Sequence, residues 1–382
     1  MPKAKSLRFI VRLLILAAAL FFILGGPLPV WMKRVVPALS PLTLFAKSIA
    51  QRSWYAGLFW TLPPLAVLTL ALLKGRFFCQ WLCPLGTLYS LPQKIGLRKK
   101  ILPVRLNGLI FWIIISSSIV GLPALLFLDP LSTFSRIGAW SAWIPGLLIP
   151  AFLLLSFFQP QVWCTHLCPL GYCFDLANLK TGKTVFNRDR RQFIAGIGIG
   201  IPAALLFPRF GKEKDAPTQS VLPPGATEQF ALICTRCYAC VSVCPAKIIR
   251  VKAGGGLREF GMPELCFDNG VCNEFCTRCT EVCPTGAIRK LTEKTKRAAK
   301  IGTAKVEKEK CLAWADNEYC MVCDEFCPYQ AIETVWRGEI ACPEVIAEKC
   351  RGCGGCEHNC PAVRQGKAIF VHSANPQQFI QE

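Results

Sequence analysis

The chain has 382 residues, 23 of them cysteine, and is 52% hydrophobic with a mean hydropathy of +0.38. A chain of this length needs no disulfides to make up for a small core, so cysteines in this number point to metal wherever their spacing is regular. The formal net charge is +20, yet residues 1–209 hold 22 Lys and Arg against three acids (Asp129, Asp175, Asp189), while residues 210–382 hold 22 against 21; the excess flanks apolar segments, which disfavours nucleic acid as a partner and favours membrane orientation.

Apolar segments run over 9–30, 54–73, 106–128 and 139–158, each near the ~20 residues that cross a bilayer. A fifth, 193–207, is shorter and Gly-rich. Residues 1–29 have a basic start and an apolar core, but "FFILGGPLPV" offers no small-x-small cleavage site, so the first segment is expected to remain as a helix. Sixteen basic residues lie in the N-terminal flank through Arg12, between the second and third segments, and after the fourth; the alternate loops hold five. The first group is therefore expected on the cytoplasmic side. Arg190 and Arg191 precede the fifth segment in "NRDRRQFIAGIGIGIPAALLF". Two readings stand: a twin-arginine export signal inside the chain, or ordinary positive flanking of a helix. Either puts the following residues outside if the fifth segment crosses.

Residues 211–229 are polar and contain prolines, as a linker would. Beyond it come four cysteine motifs. "CTRCYACVSVCP" holds Cys234, Cys237, Cys240 and Cys244, and "CRGCGGCEHNCP" holds Cys350, Cys353, Cys356 and Cys360. Between them "CNEFCTRCTEVCP" holds Cys272, Cys276, Cys279 and Cys283, and "CLAWADNEYCMVCDEFCP" holds Cys311, Cys320, Cys323 and Cys327. Three thiolates on a tight loop can wrap three irons of a cubane, and the cysteine before proline ligates the partner cluster in two-cluster ferredoxins. One such motif could hold zinc; four in tandem predict four [4Fe–4S] clusters. Cross-ligation between nearest motifs would then make Cys234, Cys237, Cys240 and Cys283 one set, and Cys272, Cys276, Cys279 and Cys244 the next. Cys311, Cys320, Cys323 and Cys360 would be a third, and Cys350, Cys353, Cys356 and Cys327 a fourth. Cys266 competes with Cys272, which is favoured; Cys342 is expected as a packed thiol.

Two further pairs stand at the ends of apolar segments. "CQWLCPLG" holds Cys79 and Cys83, and 85 positions later "CTHLCPLG" holds Cys164 and Cys168. Each pair, four apart, is expected on one helix face and is half of a four-thiolate site, so the two copies are candidate ligands of one further iron–sulfur cluster. The alternative is two helix ends with buried thiols. Cys173 lies nearby, and His166 is expected to make a polar contact. The three histidines, with no C-x-x-C-H, argue against c-type haem.

The doubled "CPLG", the "RRQF" stretch and the long gap from Cys311 to Cys320 carry a resemblance. Residues 1–185 resemble the NapH/MauN type of membrane iron–sulfur protein, and residues 187–382 the NapG/MauM type of exported polyferredoxin. The chain departs from both by being a fusion, and it lacks the soluble ferredoxin motifs that often follow the membrane part. The resemblance implies a four-helix transmembrane bundle over 1–186 and a twin-arginine segment with a fifth helix over 187–210. After the linker it implies an α+β tandem two-cluster ferredoxin-like domain over 230–382. It further implies a quinol dehydrogenase component of the bacterial inner membrane, with the quinone pool and a periplasmic redox protein as partners. Two other roles are weighed beside it: a redox factor for maturation of a periplasmic metalloenzyme, and a quinone-reducing subunit.

Overall fold

A computed structural model of the chain describes residues 2–25, 29–51, 58–92, 105–121, 125–139, 147–206, 220–253, 259–362 and 366–379. The first half is helical. α1 (Pro2–Leu24) ends just before Gly25. Its 23 residues rise ~34 Å at 1.5 Å per residue. A 3-10 turn, Val30–Arg34, leads into α2 (Val35–Ala38) and α3 (Pro41–Gln51). α4 (Leu58–Lys74) carries Pro63 and Pro64 in its interior, which packed neighbours can accommodate in an apolar setting. The chain then breaks at Gly75 (φ +60°) into the short α5 (Phe77–Trp81) and α6 (Pro84–Leu88).

The expected segment 106–128 is not one helix. α7 (Asn107–Ile119) stops, Gly121 adopts φ +91°, and a separate α8 (Pro130–Ser135) follows. Asp129 starts α8: its carboxylate accepts from Ser132 N at 3.0 Å and from Ser40 Oγ at 2.5 Å. This cap satisfies N-terminal amides that would otherwise lack a partner. α9 (Leu148–Phe158), α10 (Pro169–Ala177), α11 (Gly182–Arg188) and α12 (Arg190–Leu206) complete this half. Leu42, Leu85, Tyr89, Ile114, Phe134 and Phe174 form its fully buried centre.

α12 lies against α7. Gly196, Gly200 and Ala204, four apart, are buried there, and Ser116 Oγ donates to the Gly196 carbonyl at 3.1 Å. A Cβ on Gly200 would run into Ser116 Oγ, so the backbones approach as closely as they do only because the residue is glycine. Gln192 ties the two N-termini together, accepting from Leu109 N at 3.0 Å and donating to the Arg105 carbonyl at 2.7 Å. Leu106 N donates to the His166 carbonyl at 2.8 Å, which brings the second CPLG motif to the same end.

Among the described residues one helix, Leu7–Leu24, is long and apolar enough to cross a membrane; the apolar helices Phe59–Lys74, Asn107–Ile119 and Leu148–Phe158 are shorter. Parts of the expected segments, including 54–57 and 140–146, lie outside the described residues. Large apolar side chains face outward on four helices, among them Leu14, Phe21, Phe59, Leu73, Leu154 and Ile194.

The second half is built from short elements around cysteine loops. β1 (Ile249–Val251) pairs antiparallel with β2 (Pro263–Leu265), between the first and second motifs. β4 (Ile332–Arg337) pairs antiparallel with β5 (Ile340–Val345), between the third and fourth. Each half is thus motif, strand pair, motif. β3 (Ala299–Val306) pairs with β6 (Ile369–Phe379) and ties the halves together, with a register shift between Lys300 and Gly302. Val221, Leu222 and Ala226 are buried in this core, and Leu265 N donates to the Val221 carbonyl at 2.7 Å. Packed structure therefore begins at 220, inside the stretch expected as linker; residues 211–219 lie outside the described residues.

The two halves touch through the first motif. Arg136, buried just past α8, donates through Nε to the Arg236 carbonyl at 3.0 Å and lies 5.9 Å from the Tyr238 ring centroid. Arg236 in turn lies 5.6 Å from the Phe127 ring, and Lys33 Nζ donates to the Ser242 carbonyl at 3.4 Å. The charge-to-ring contacts add to ordinary packing.

Candidate iron–sulfur centres

The sixteen C-terminal cysteines gather in four sets. Cys244, Cys272, Cys276 and Cys279 line one small cavity, and Cys311, Cys320, Cys323 and Cys360 line another. Cys234, Cys237, Cys240 and Cys283 lie within electrostatic reach of one another, as do Cys327, Cys350, Cys353 and Cys356. In every set the cysteine before proline comes from the partner motif. Cys272 rather than Cys266 faces its cavity; Cys266 Sγ donates to Asp268 Oδ2 at 2.9 Å. Cys342 is fully buried, with its thiol on the Ala313 carbonyl at 3.5 Å.

The donor set suits an iron–sulfur cluster. Backbone amides of Ile288, Ala331, Ala368 and Ala304 donate to Cys283, Cys327, Cys360 and Cys350 Sγ at 3.4, 3.2, 3.4 and 3.4 Å; such bonds stabilise a thiolate and help set cluster potential. Among the described residues no three His, Cys, Asp or Glu side chains converge on a single ion position. Zinc draws its thiolates to about 2.3 Å from one point, whereas a cluster spreads them over separate irons. Burial pushes the Cys237 and Cys353 thiols up to about 11 and Cys234 to about 12, with neighbouring cysteines adding to the rise. Four buried thiolates repel one another, and bound iron supplies the compensating charge.

The sets form a row. Cys240 of the first feels Cys279 of the second. Cys272 N of the second donates to the Cys353 carbonyl of the fourth at 2.9 Å, and Cys356 of the fourth feels Cys323 of the third. The spatial order is therefore first, second, fourth, third. The first docks on the helical half; the third, with Cys320 partly exposed and Tyr319 fully outward, lies at the far end.

The two CPLG motifs meet. Cys79, Cys83, Cys164 and Cys168 line one cavity of ≈ 280 Å³, together with Arg8, Arg12 and Arg76. The pairs do not sit on one helix face as their spacing predicts. Cys79 lies in α5, which ends at Trp81, and Cys83 is the N-cap of α6, its Sγ accepting from Gly86 N at 3.4 Å. Likewise Cys164 lies in a π-turn, Trp163–Leu167, and Cys168 caps α10, its Sγ accepting from Gly171 N at 3.4 Å. Proline at the first position of each new helix explains the break: it lacks the N–H that helix continuation would require. His166 contacts Thr165 and Gln159 through its two ring nitrogens, at 2.6 and 3.2 Å. Cys173 does not line the cavity. Arg190 and Arg191 are exposed at the start of α12.

The comparisons with known proteins agree with this chemistry. Residues 56–105 and 141–189 each match the family described as "4Fe-4S binding domain", and residues 233–287 match "4Fe-4S dicluster domain". The chain is 32% identical over 186 residues to the methylamine utilization ferredoxin-type protein MauM of Methylophilus methylotrophus, covering 45% of this chain and 82% of the relative. The chain belongs to the NapH/MauM ferredoxin-type family. It is also 26% identical over 226 residues to ferredoxin-type protein NapH of Haemophilus influenzae, covering 56% of this chain and 75% of that protein. Ferredoxin-type protein NapF of Escherichia coli is 31% identical over 159 residues, covering 41% and 88%. No solved structure matches. As a NapH/MauM-type protein, the chain is an iron–sulfur electron-transfer protein.

Some site residues carry no signature in the sequence motifs. Lys296 is nearly fully buried and acts on Cys272 and Cys279, hydrogen-bonding the former; in sequence it is one lysine in a basic run. Arg8, Arg12 and Arg76 were legible only as flanking charge.

Proposed function

We propose that the protein is a membrane-anchored carrier that oxidises quinol and delivers the electrons to a redox protein outside the cytoplasmic membrane. The observation that carries this reading is the bridge between the two halves. Pro130 lines the cysteine–arginine cavity, and just past the other end of the same six-residue α8 Arg136 holds the loop of the first C-terminal set. Six residues of helix rise only ~9 Å.

The sixteen C-terminal cysteines, in the four sets above, hold four [4Fe–4S] clusters, which when bound supply one-electron carriers. Quinol resides in the bilayer and releases electrons and protons in pairs, so a single-electron path must start at the membrane. Arg136, Lys33 and the Arg236–Tyr238 loop fix the near end of the row there; the set around Cys320 faces the acceptor. The outward apolar side chains of α1, α4, α9 and α12 are the anchoring surface, since leaving them in water forfeits ~25 cal/mol per Å². The sixteen-to-five basic bias and Arg190–Arg191 support an extracytoplasmic position for the second half.

The test uses the full chain in lipid nanodiscs under anaerobic conditions. A water-soluble quinol should reduce the clusters, read as loss of visible absorbance and appearance of reduced-cluster EPR signals. Clusters that stay oxidised with quinol but are reduced by dithionite would overturn quinol as the donor.

A further inference from the structure

We infer that the two CPLG repeats build a single iron–sulfur site, two thiolates from each, inside a cage of arginines that sets its charge and potential. The inference deepens the electron-transfer reading and rests on it. Each repeat matches a 4Fe–4S binding domain by itself, yet each brings only two cysteines to the cavity, too few for a cluster held by four thiolates. The structure supplies the missing half: Cys79 and Cys83 face Cys164 and Cys168 across one space. The two halves are built alike. In both, a broken helix ends, a proline opens the next, the second cysteine caps it and takes an amide from the glycine of CPLG at 3.4 Å.

The wall of this cavity argues for an anion. Arg8, Arg12 and Arg76 line it, and among the described residues no acidic side chain does. Arg76 is neutralised from behind by Asp175 on α10, through Nε to Oδ1 at 2.6 Å and Nη2 to Oδ2 at 2.5 Å. That pair also clamps the first repeat to the second, because Arg76 Nη1 reaches the Cys164 carbonyl at 3.4 Å. Arg12 has different anchors: it donates to the Gly86 carbonyl at 3.0 Å and Ser90 Oγ at 2.7 Å, in the helix that follows Cys83. Its charge therefore points at the cavity, and among the described residues no carboxylate pairs with it. Arginines gathered in an apolar region are costly unless an anion meets them. Four thiolates outweigh the positive charge of a cluster core, so the loaded site is that anion. Positive charge beside it favours the reduced form, which places the site high in potential relative to the same ligands without the cage.

The test is iron analysis and EPR potentiometry on the full chain, purified anaerobically in detergent. Cys83→Ser and Cys168→Ser should each abolish the same one signal and the same share of iron, and the double variant should lose no more than either single. The signals of the C-terminal sets should persist, which also reports folding. Arg12→Gln should move the midpoint potential of the shared signal negative, and Arg12→Lys should restore it. Where the serine variants do not accumulate, alkylation of the unaltered protein serves instead: Cys79, Cys83, Cys164 and Cys168 should be protected together and become reactive together once iron is chelated. Losses that are additive or fall on different signals, no iron lost in the double variant, or free alkylation of the four in the iron-loaded protein would overturn the shared site. The two readings fail separately. If the double variant changes nothing while quinol still reduces the C-terminal sets, the site is refuted and the carrier stands. If the shared signal behaves as expected but quinol reduces nothing, the site stands and quinol oxidation falls.

Discussion

Lys296 puts a buried positive charge against Cys272 and Cys279, as the equally buried Lys47 does against Cys283 of the first set. Positive charge stabilises the more negative, reduced state. Lys296→Met should therefore shift one cluster potential negative by on the order of 50–100 mV, the scale of a ~1–2 kcal/mol charge interaction. EPR potentiometry should show the remaining signals in place; an unmoved potential would show that the lysine merely packs. The cysteines themselves carry a pH prediction. With Cys237 and Cys353 held up at about 11 and Cys234 at about 12, the iron-free chain keeps these thiols protonated at neutral pH. Iron must displace those protons. Reconstitution should consequently release acid, and be more complete near pH 9 than near pH 7; a pH-stat measures the first and iron content the second.

At the scale of elements, the first and fourth motifs repeat one backbone path with different residues. Arg236 and Tyr238 adopt φ +52° and +59°, and the equivalent positions of the fourth motif are Gly352 and Gly354 at +75° and +80°. Glycine adopts this region without penalty, whereas side-chain-bearing residues pay roughly 1 kcal/mol or more. The first motif accepts that strain where its side chains make the contact with the helical half: Arg236 on Phe127, and Tyr238 beneath Arg136 with its hydroxyl on the Gly261 carbonyl at 2.9 Å. Tyr238→Gly should relax the backbone and keep cluster content, but slow quinol-driven reduction. Gly354→Ala should do the reverse, destabilising the fold by about 2–4 kcal/mol, since its Cβ would run into the Phe267 ring at a positive φ. Stopped-flow reduction and thermal unfolding distinguish the two. Equal effects of both variants would show that the loop is structural at either position.

Over the whole molecule, basic residues gather at the end that holds the CPLG cavity, with Arg8, Arg12 and Arg76 on it and Arg190 and Arg191 at the head of α12 nearby. The ferredoxin half docks at the other end of α8. A reporter fused after Glu382 should accordingly be found outside the cytoplasmic membrane, and Arg190→Lys with Arg191→Lys should leave it inside. Normal export of that variant would assign the pair to positive flanking alone. Cysteine spacing by itself determined the number of motifs and which chemistry they suit, because a cluster needs thiolates at short, regular intervals on a loop. Hydropathy likewise determined a helical first half. Where helices stop was less legible: 106–128 looks continuous in composition, but capping by Asp129 and a turn at Gly121 divide it. The row of sets, the break between the two cysteines of each CPLG repeat, Lys296 and the strained Arg236–Tyr238 loop were decided only by the tertiary structure. Most of these depend on contacts between residues tens to hundreds of positions apart, and a linear pattern records such distance only when both partners are as rare and as regularly spaced as cysteine.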